Sequence, residues 1–156
     1  MILIKYYKHE KIEFQIDVDC SYYCLYNWNA VKRGNKYYLY NGKNAIYYHR
    51  LIMGAKKGDI IDHIDRDSKN NLKSNLRVVT SKENSYNRTK SSSKYNSSVY
   101  IGVSFDTHSG KWKASINING KRKTIGRYTN EIDAAMAYNE AIIKYRPVFG
   151  TLNIIK

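Results

Sequence analysis

Ile60-Ile61-Asp62-His63-Ile64-Asp65 and, beyond a polar loop through Asn70-Asn71, Asn75-Leu76-Arg77-Val78-Val79-Thr80-Ser81-Lys82-Glu83-Asn84 form the stretch whose reading decides the fold. Ile60-Ile61 and Leu76 to Val79 are short apolar runs of strand length and β-branched character. Thr80-Ser81-Lys82-Glu83 reads as a capping box: the threonine hydroxyl accepts from the Glu83 amide while the Glu83 carboxylate reaches back. A helix therefore starts at this point and Asn84 falls in its first turn. The order strand, loop, strand, helix gathers two strands and a helix start around one place, although Asp62 and Asn84 are 22 positions apart.

That arrangement has a chemistry. A carboxylate beside an imidazole, answered by an amide at a helix start, can hold one divalent cation and leave His63 to activate water for phosphodiester hydrolysis. An Asp-His dipeptide alone says little, because neighbours of this kind commonly hydrogen-bond within a turn. The wider frame, with Asn75 twelve positions after His63 and Asn84 nine further on, is more specific. An ordinary histidine pKa near 6.5 suits a base at neutral pH, and Asp62 is expected to raise it.

Upstream, Lys11 to Val18 alternates apolar and polar residues with the period of a half-buried strand. Tyrosine-rich segments Asn35–Tyr40 and Asn44–Tyr48 flank Asn41-Gly42, a dipeptide suited to the positive φ of a tight hairpin. Residues 1–48 therefore read as a small antiparallel sheet leading into His49-Arg50-Leu51-Ile52-Met53, and the whole of 1–87 as one domain with its strand–strand–helix core at about 49–90. Cys20 and Cys24 stand alone without a second pair, so they do not make a four-ligand zinc site and read as reduced thiols.

Downstream, residues 88–98, with Arg88, Lys90, Lys94 and a run of serines, have nothing to bury and read as a basic linker. A second module spans 99–156. Val99–Phe105, Trp112–Ile118 and Lys123–Tyr128 are strand candidates joined by turns at Ser109-Gly110 and Asn119-Gly120. Asn130 caps a helix with Asp133 at its third position, and alanines at 134, 135, 137 and 141 give that helix a slim face for packing on a sheet. Trp112, Ala114, Ile116 and Ile118 alternate with Lys113, Ser115 and Asn117, leaving one polar, basic face able to enter a major groove. The fold class expected is α+β: an N-terminal antiparallel sheet, a ββα unit, then three antiparallel strands on one C-terminal helix.

Charge points to a partner. Against 27 Lys and Arg stand 13 Asp and Glu, a formal +14. Residues 85–130 hold nine basic residues and one acid, Asp106, for +8, whereas 131–156 balance at three each. A polyanion is the expected partner, and nucleic acid is the commonest one. No apolar run approaches the length of a membrane span, so a soluble intracellular protein, in the cytoplasm of a bacterium or virus-infected host, is expected.

His49-Arg50, Ile61-Asp62-His63-Ile64, Asn75 to Thr80 and Asn84 together resemble the HNH endonucleases of the homing, phage-associated kind. Tyr100-Ile101-Gly102-Val103, Gly110 to Ala114, Ile125-Gly126-Arg127-Tyr128 and the alanine helix ending in Leu152-Asn153 resemble the APETALA-type (ethylene-response-factor) DNA-binding domain. The first resemblance implies a site-specific, metal-dependent DNA endonuclease with a ββα-metal core. Asp62 and Asn84 would ligate one Mg²⁺ or Mn²⁺, His63 would be the general base, and Asn75 would brace the loop so that His63 points correctly. Asn84 stands where many relatives have histidine, which argues against a zinc-preferring site, and the paired cysteines of structural zinc are absent. His49 is expected to support the site from behind. Arg50, Arg77, Arg88, Lys90, Lys94, Lys111, Lys113, Arg122, Lys123 and Arg127 are the expected DNA contacts, on duplex DNA, by a monomer or homodimer. The alternatives are a catalytically inactive sequence-specific DNA-binding regulator and, on composition only, an RNA-binding protein or ribonuclease.

Overall fold

The computed structural model describes residues 1–18, 26–87 and 96–155. Arg88, Lys90, Lys94, Cys20 and Cys24 lie outside the described residues. The chain divides into two compact units, Met1–Asn84 and Ser85–Lys156. It is α+β, built from small antiparallel sheets, with the C-terminal helix packed on a three-stranded sheet.

In the first unit, β1 (Ile2–Tyr7) pairs with β2 (Glu10–Gln15), and β3 (Asn29–Arg33) with β4 (Lys36–Asn41) and β5 (Ile46–Tyr47). The single N-terminal sheet expected from the sequence is therefore two sheets. The period-two pattern around Phe14 holds: Ile12, Phe14 and Ile16 are buried and the residues between them are not fully so. These side chains share one core with Leu3, Trp28, Leu39, Tyr48, Ile52 and Leu76. Full burial of each large apolar side chain contributes about 1.5–3 kcal/mol.

Asn41-Gly42 does not make the tight hairpin expected of it. Asn41 is the last residue of β4 and is buried; its Oδ1 accepts from the Asn44 amide and its Nδ2 donates to the Asn27 carbonyl. The positive φ of this turn falls on Ala45, so the connection to β5 is a wider turn organised by the buried asparagine. After it come α1 (Tyr48–Ile52), β6 (Ile60–His63), a 3-10 turn (Lys73–Asn75), β7 (Leu76–Val79) and α2 (Ser81–Asn84). β6 and β7 are antiparallel, with Asp62 opposite Arg77 and His63 opposite Leu76.

In the second unit β8 (Val103–Asp106), β9 (Lys111–Ile118) and β10 (Lys121–Tyr128) form a sheet in the order β10-β9-β8, with α3 (Glu131–Tyr145) packed across it. The first strand is shorter than Val99–Phe105, because the backbone turns at Gly102, whose φ of +75 is left-handed. Asn119 and Gly120 both adopt positive φ, making the tight hairpin that the dipeptide predicts. Ala134, Ala135 and Ala141 are buried against the sheet, and Asn130 Oδ1 accepts from the Asp133 amide at 2.7 Å, capping the helix.

Candidate active site

Each residue of the hairpin is placed by strand alternation. Asp62 and His63 are adjacent, so they emerge on opposite faces of β6, and both are 7% exposed. On one face Arg77, directly across from Asp62, donates Nη2 and Nε to Asp62 Oδ2 at 2.8 and 3.0 Å. Arg77 also lowers the pKa of Glu83, though less than the bonds from Thr80 do, so the Asp62–Arg77 pair lies toward α2. That helix packs on both strands. Its start is the capping box read from the sequence: the Glu83 amide donates to Thr80 Oγ1 at 3.2 Å, and the Thr80 amide donates to Glu83 Oε2 at 2.8 Å. Asn84 closes α2 and is exposed.

On the other face His63 sits among rings. Its centroid is 5.2 Å from that of His49 and 6.5 Å from that of Tyr38, and His49 in turn lies 5.7 Å from Tyr38 and 5.6 Å from Tyr47. Nε2 of His63 is 3.4 Å from Asn71 Oδ1. Asn71 Nδ2 donates to the Lys69 carbonyl, which fixes the amide with its oxygen toward the imidazole. An acceptor there favours the tautomer protonated at Nε2, so Nδ1 is the basic nitrogen. Burial pushes the His63 pKa below its ordinary value; the Asn71 contact, Asp65 and, last and least, Asp62 pull upward without reversing it. Asp62 does pull the value up, as the sequence suggests, but burial outweighs it and the net change is downward. His49 is pushed down to about 3, by burial first and then by the His63 and Arg50 charges, so it is neutral at physiological pH.

The loop between the strands is held by amides. Asn75 Nδ2 donates to Asp65 Oδ1 at 2.9 Å and to the Asn70 carbonyl at 2.8 Å, while its Oδ1 accepts from the Asp65 amide at 3.0 Å. Asp65 also accepts from Asn70 Nδ2 and from the Asp67 amide. Partial burial raises its pKa, but the bonds from Asn75, Asn70 and Asp67 outweigh that and hold it below the usual carboxylate value. The N-terminal strands grip the same loop: the Gln15 amide donates to the Lys69 carbonyl, the Asn71 amide to the Gln15 carbonyl, and Ser68 Oγ to the Tyr37 carbonyl. Side-chain amides within the loop and bonds to the N-terminal strands together fix where Asn71 meets His63.

Among the expected DNA contacts, Arg50, Arg77, Arg122 and Arg127 have partners within the protein. Arg50 donates to the Asp59 carbonyl at 2.6 Å and the Lys56 carbonyl at 2.8 Å, closing the turn after α1. Arg77 is bound to Asp62. In the second unit Lys111 and Lys113 share the outer face of β9 with Ser115 and Asn117, and Arg122 and Arg127 join it from β10, opposite Asn117 and Lys113. Arg127 pairs with Asp106 at 2.9 Å, holding that carboxyl down to about 2. Lys123 is opposite buried Ile116 and so belongs to the helix side of the sheet, apart from the others. Trp112 packs against the core and stacks edge-on with Phe105. Asn71 is the residue sequence reasoning missed; its signal was the doubled asparagine following Asp-His.

Among the described residues no group of three His, Cys, Asp or Glu converges, whereas the Asp62 carboxylate and the Asn84 amide are oxygen donors of the kind Mg²⁺ takes alongside water and substrate phosphate.

Residues 47–86, from β5 through α2, match the family described as HNH endonuclease. The chain is also 35% identical over 118 residues to an uncharacterized HNH endonuclease of Acanthamoeba polyphaga mimivirus, covering 73% of this chain and 59% of the relative. On these matches residues 47–86 are similar to HNH endonucleases, and the chain spans less than two thirds of that relative's length. No solved structure matches. Among the described residues no helix is long and apolar enough to cross a membrane.

Proposed function

We propose that this protein is a site-specific endonuclease of the HNH homing type, hydrolysing phosphodiester bonds of duplex DNA with one divalent cation and His63 as general base. The observation that carries this reading is the buried His63, backed by Asn71 and standing in a strand next to an acid, within the segment that matches HNH endonucleases.

Asp62 and Asn84 would hold Mg²⁺ or Mn²⁺. When bound, such an ion offsets negative charge on the scissile phosphate and on the departing oxygen. The protein's own residues do the rest. His63 takes the proton of the attacking water at Nδ1; its lowered pKa keeps that nitrogen unprotonated at neutral pH. His49 and Tyr38 exclude water behind the imidazole, and Asn75 fixes the loop that carries Asn71. Lys111, Lys113 and Arg122 on the outer face of the second unit would contact DNA, in the manner of an APETALA-type module. One base and one cation cut one strand, so a double-strand break requires two copies.

The Asp62–Arg77 pair favours a second reading, a DNA-binding regulator that does not cleave, because it gives the carboxylate a structural partner. Supercoiled plasmid carrying candidate sites separates the two. Nicking with Mg²⁺ that EDTA abolishes, and that His63→Ala and Asn84→Ala each reduce, supports the nuclease. Binding without nicking under Mg²⁺ or Mn²⁺ supports the regulator.

A further inference from the structure

The second unit holds a cleft of about 440 Å³ that the sheet-face reading does not use. Ser115, Arg122 and Arg146 line it together with Tyr86, Asn117 and Ser104, and among the described residues no acidic side chain does. Arg122 donates Nε and Nη2 to Ser115 Oγ at 3.0 and 2.9 Å, and Ser115 is 5% exposed. Arg146, at the end of α3, donates to the Asn117 carbonyl, and its guanidinium lies 3.7 Å from the centre of the Tyr86 ring. Asn117 is the cross-strand partner of Arg122. Two guanidiniums therefore reach the same short stretch of β9 from different elements.

The groups they meet are neutral: a hydroxyl, a carbonyl and a ring face. Among the described residues neither arginine forms an ion pair with a carboxylate, in contrast to Arg127, which takes Asp106. Two positive charges in one concave, acid-free place repel each other, and the arrangement is relieved by an anion between them. A planar guanidinium fork fits phosphate oxygens in pairs, and a seated hydroxyl supplies a further donor. Arg122 also belongs to the outer face that carries Lys111 and Lys113, so the cleft opens at the margin of the basic face and not on a separate side.

We infer that this cleft seats a backbone phosphate of bound DNA between Arg122 and Arg146, extending the contact surface beyond the strands to the end of α3. This rests on the reading of the protein as DNA-binding. It adds Arg146, which charge patterning alone did not single out.

The test is the salt dependence of duplex binding by the full chain, measured by fluorescence anisotropy with a labelled duplex of arbitrary sequence. The slope of log K against log salt should become shallower by about 0.9 for each phosphate that the protein no longer neutralises. Arg146→Gln and Arg122→Gln are each expected to show that change, with weakening that is uniform across sequences. Ser104→Glu leaves both arginines in place but brings a carboxylate to them, and should reproduce the shallower slope; it decides the matter if a variant lacking an arginine fails to fold by thermal melt. Wild-type slopes in folded variants overturn the inference while leaving DNA binding intact. Absence of duplex binding by the wild type overturns both. A parallel titration with thymidine monophosphate distinguishes the source of the phosphate: saturable, Arg146-dependent mononucleotide binding with unchanged DNA slopes would make the cleft a free-nucleotide site and overturn the inference.

Discussion

Asn71 Oδ1 stands 3.4 Å from Nε2 of His63, and the asparagine is 1% exposed, which makes it the polar backing of the imidazole. A long contact of this kind orients more than it binds. If His63 is the base, its neutral form must act, so activity rises with pH through its pKa. Because burial lowers that pKa, the acid limb of kcat/KM should lie below pH 6.5. Asn71→Asp places a charge beside the ring and should move the limb upward, whereas Asn71→Ala should lower kcat. A pH profile of plasmid nicking by the three proteins checks this; identical limbs would refute it.

His63→Ala should reduce cleavage by roughly 10²–10⁴-fold, the range for a lost general base. Duplex binding measured without metal should stay within about twofold, since a neutral imidazole that is 7% exposed supplies no charge to the phosphates. Unchanged nicking by a folded variant would remove His63 from the chemistry.

Arg77→Met leaves Asp62 buried without its guanidinium partner. Breaking a buried pair from one side costs about 3–5 kcal/mol, and the partial exposure of Arg77 places the expected loss near the lower end. Urea denaturation would measure it. A loss under about 1 kcal/mol would mean that the pair is a surface contact in energetic terms.

His49 sets a pH dependence of stability. Its folded-state value of about 3 lies below the unfolded value, so the unfolded chain binds more protons in between. The contribution of neutral His49 is fully present above pH 6.5 and is lost as pH falls toward 3. Between pH 8 and pH 5 the loss is about 2 kcal/mol. Urea midpoints at the two values, compared with His49→Gln, should show a smaller drop for the variant.

Gly102→Ala tests the second unit. The position has φ +75, and an added Cβ would lie 2.2 Å from the Tyr138 ring and 2.8 Å from the Ser115 carbonyl. Left-handed strain of about 1–2 kcal/mol adds to overpacking of about 1–3 kcal/mol. The second unit should melt earlier, with no effect on the His63 environment seen by NMR.

The local devices of both units were readable one residue at a time. Thr80 and Glu83 form their reciprocal box, Asn119-Gly120 makes its tight turn and Asn130 caps its helix, because each depends on neighbours within four residues and on intrinsic backbone preference. Asn41-Gly42 looked similar but behaves differently: a tertiary bond to the Asn27 carbonyl buries the asparagine and outweighs its turn preference. Of the candidate site, Asp62, His63, Asn75 and Asn84 stand out by spacing, whereas Asn71 does not, since its contact with His63 depends on the Gln15 and Tyr37 carbonyls gripping the loop from strands far away in sequence.

The sequence by itself determined the α+β character, the helix starts at Thr80 and Asn130, the tight turn at Asn119-Gly120 and the strongly cationic charge, since these follow from periodicity, capping and composition. Tertiary structure alone decided which side chains meet. The two-residue turn sets the register that puts Lys123 opposite Ile116 and Arg122 opposite Asn117, and a bulge around Ile125 returns Arg127 to the outer face. Strand alternation sends Asp62 to Arg77 and His63 to Asn71. Charge and residue type are properties of the chain, but face and partner are fixed by pairing across distances that no local preference encodes.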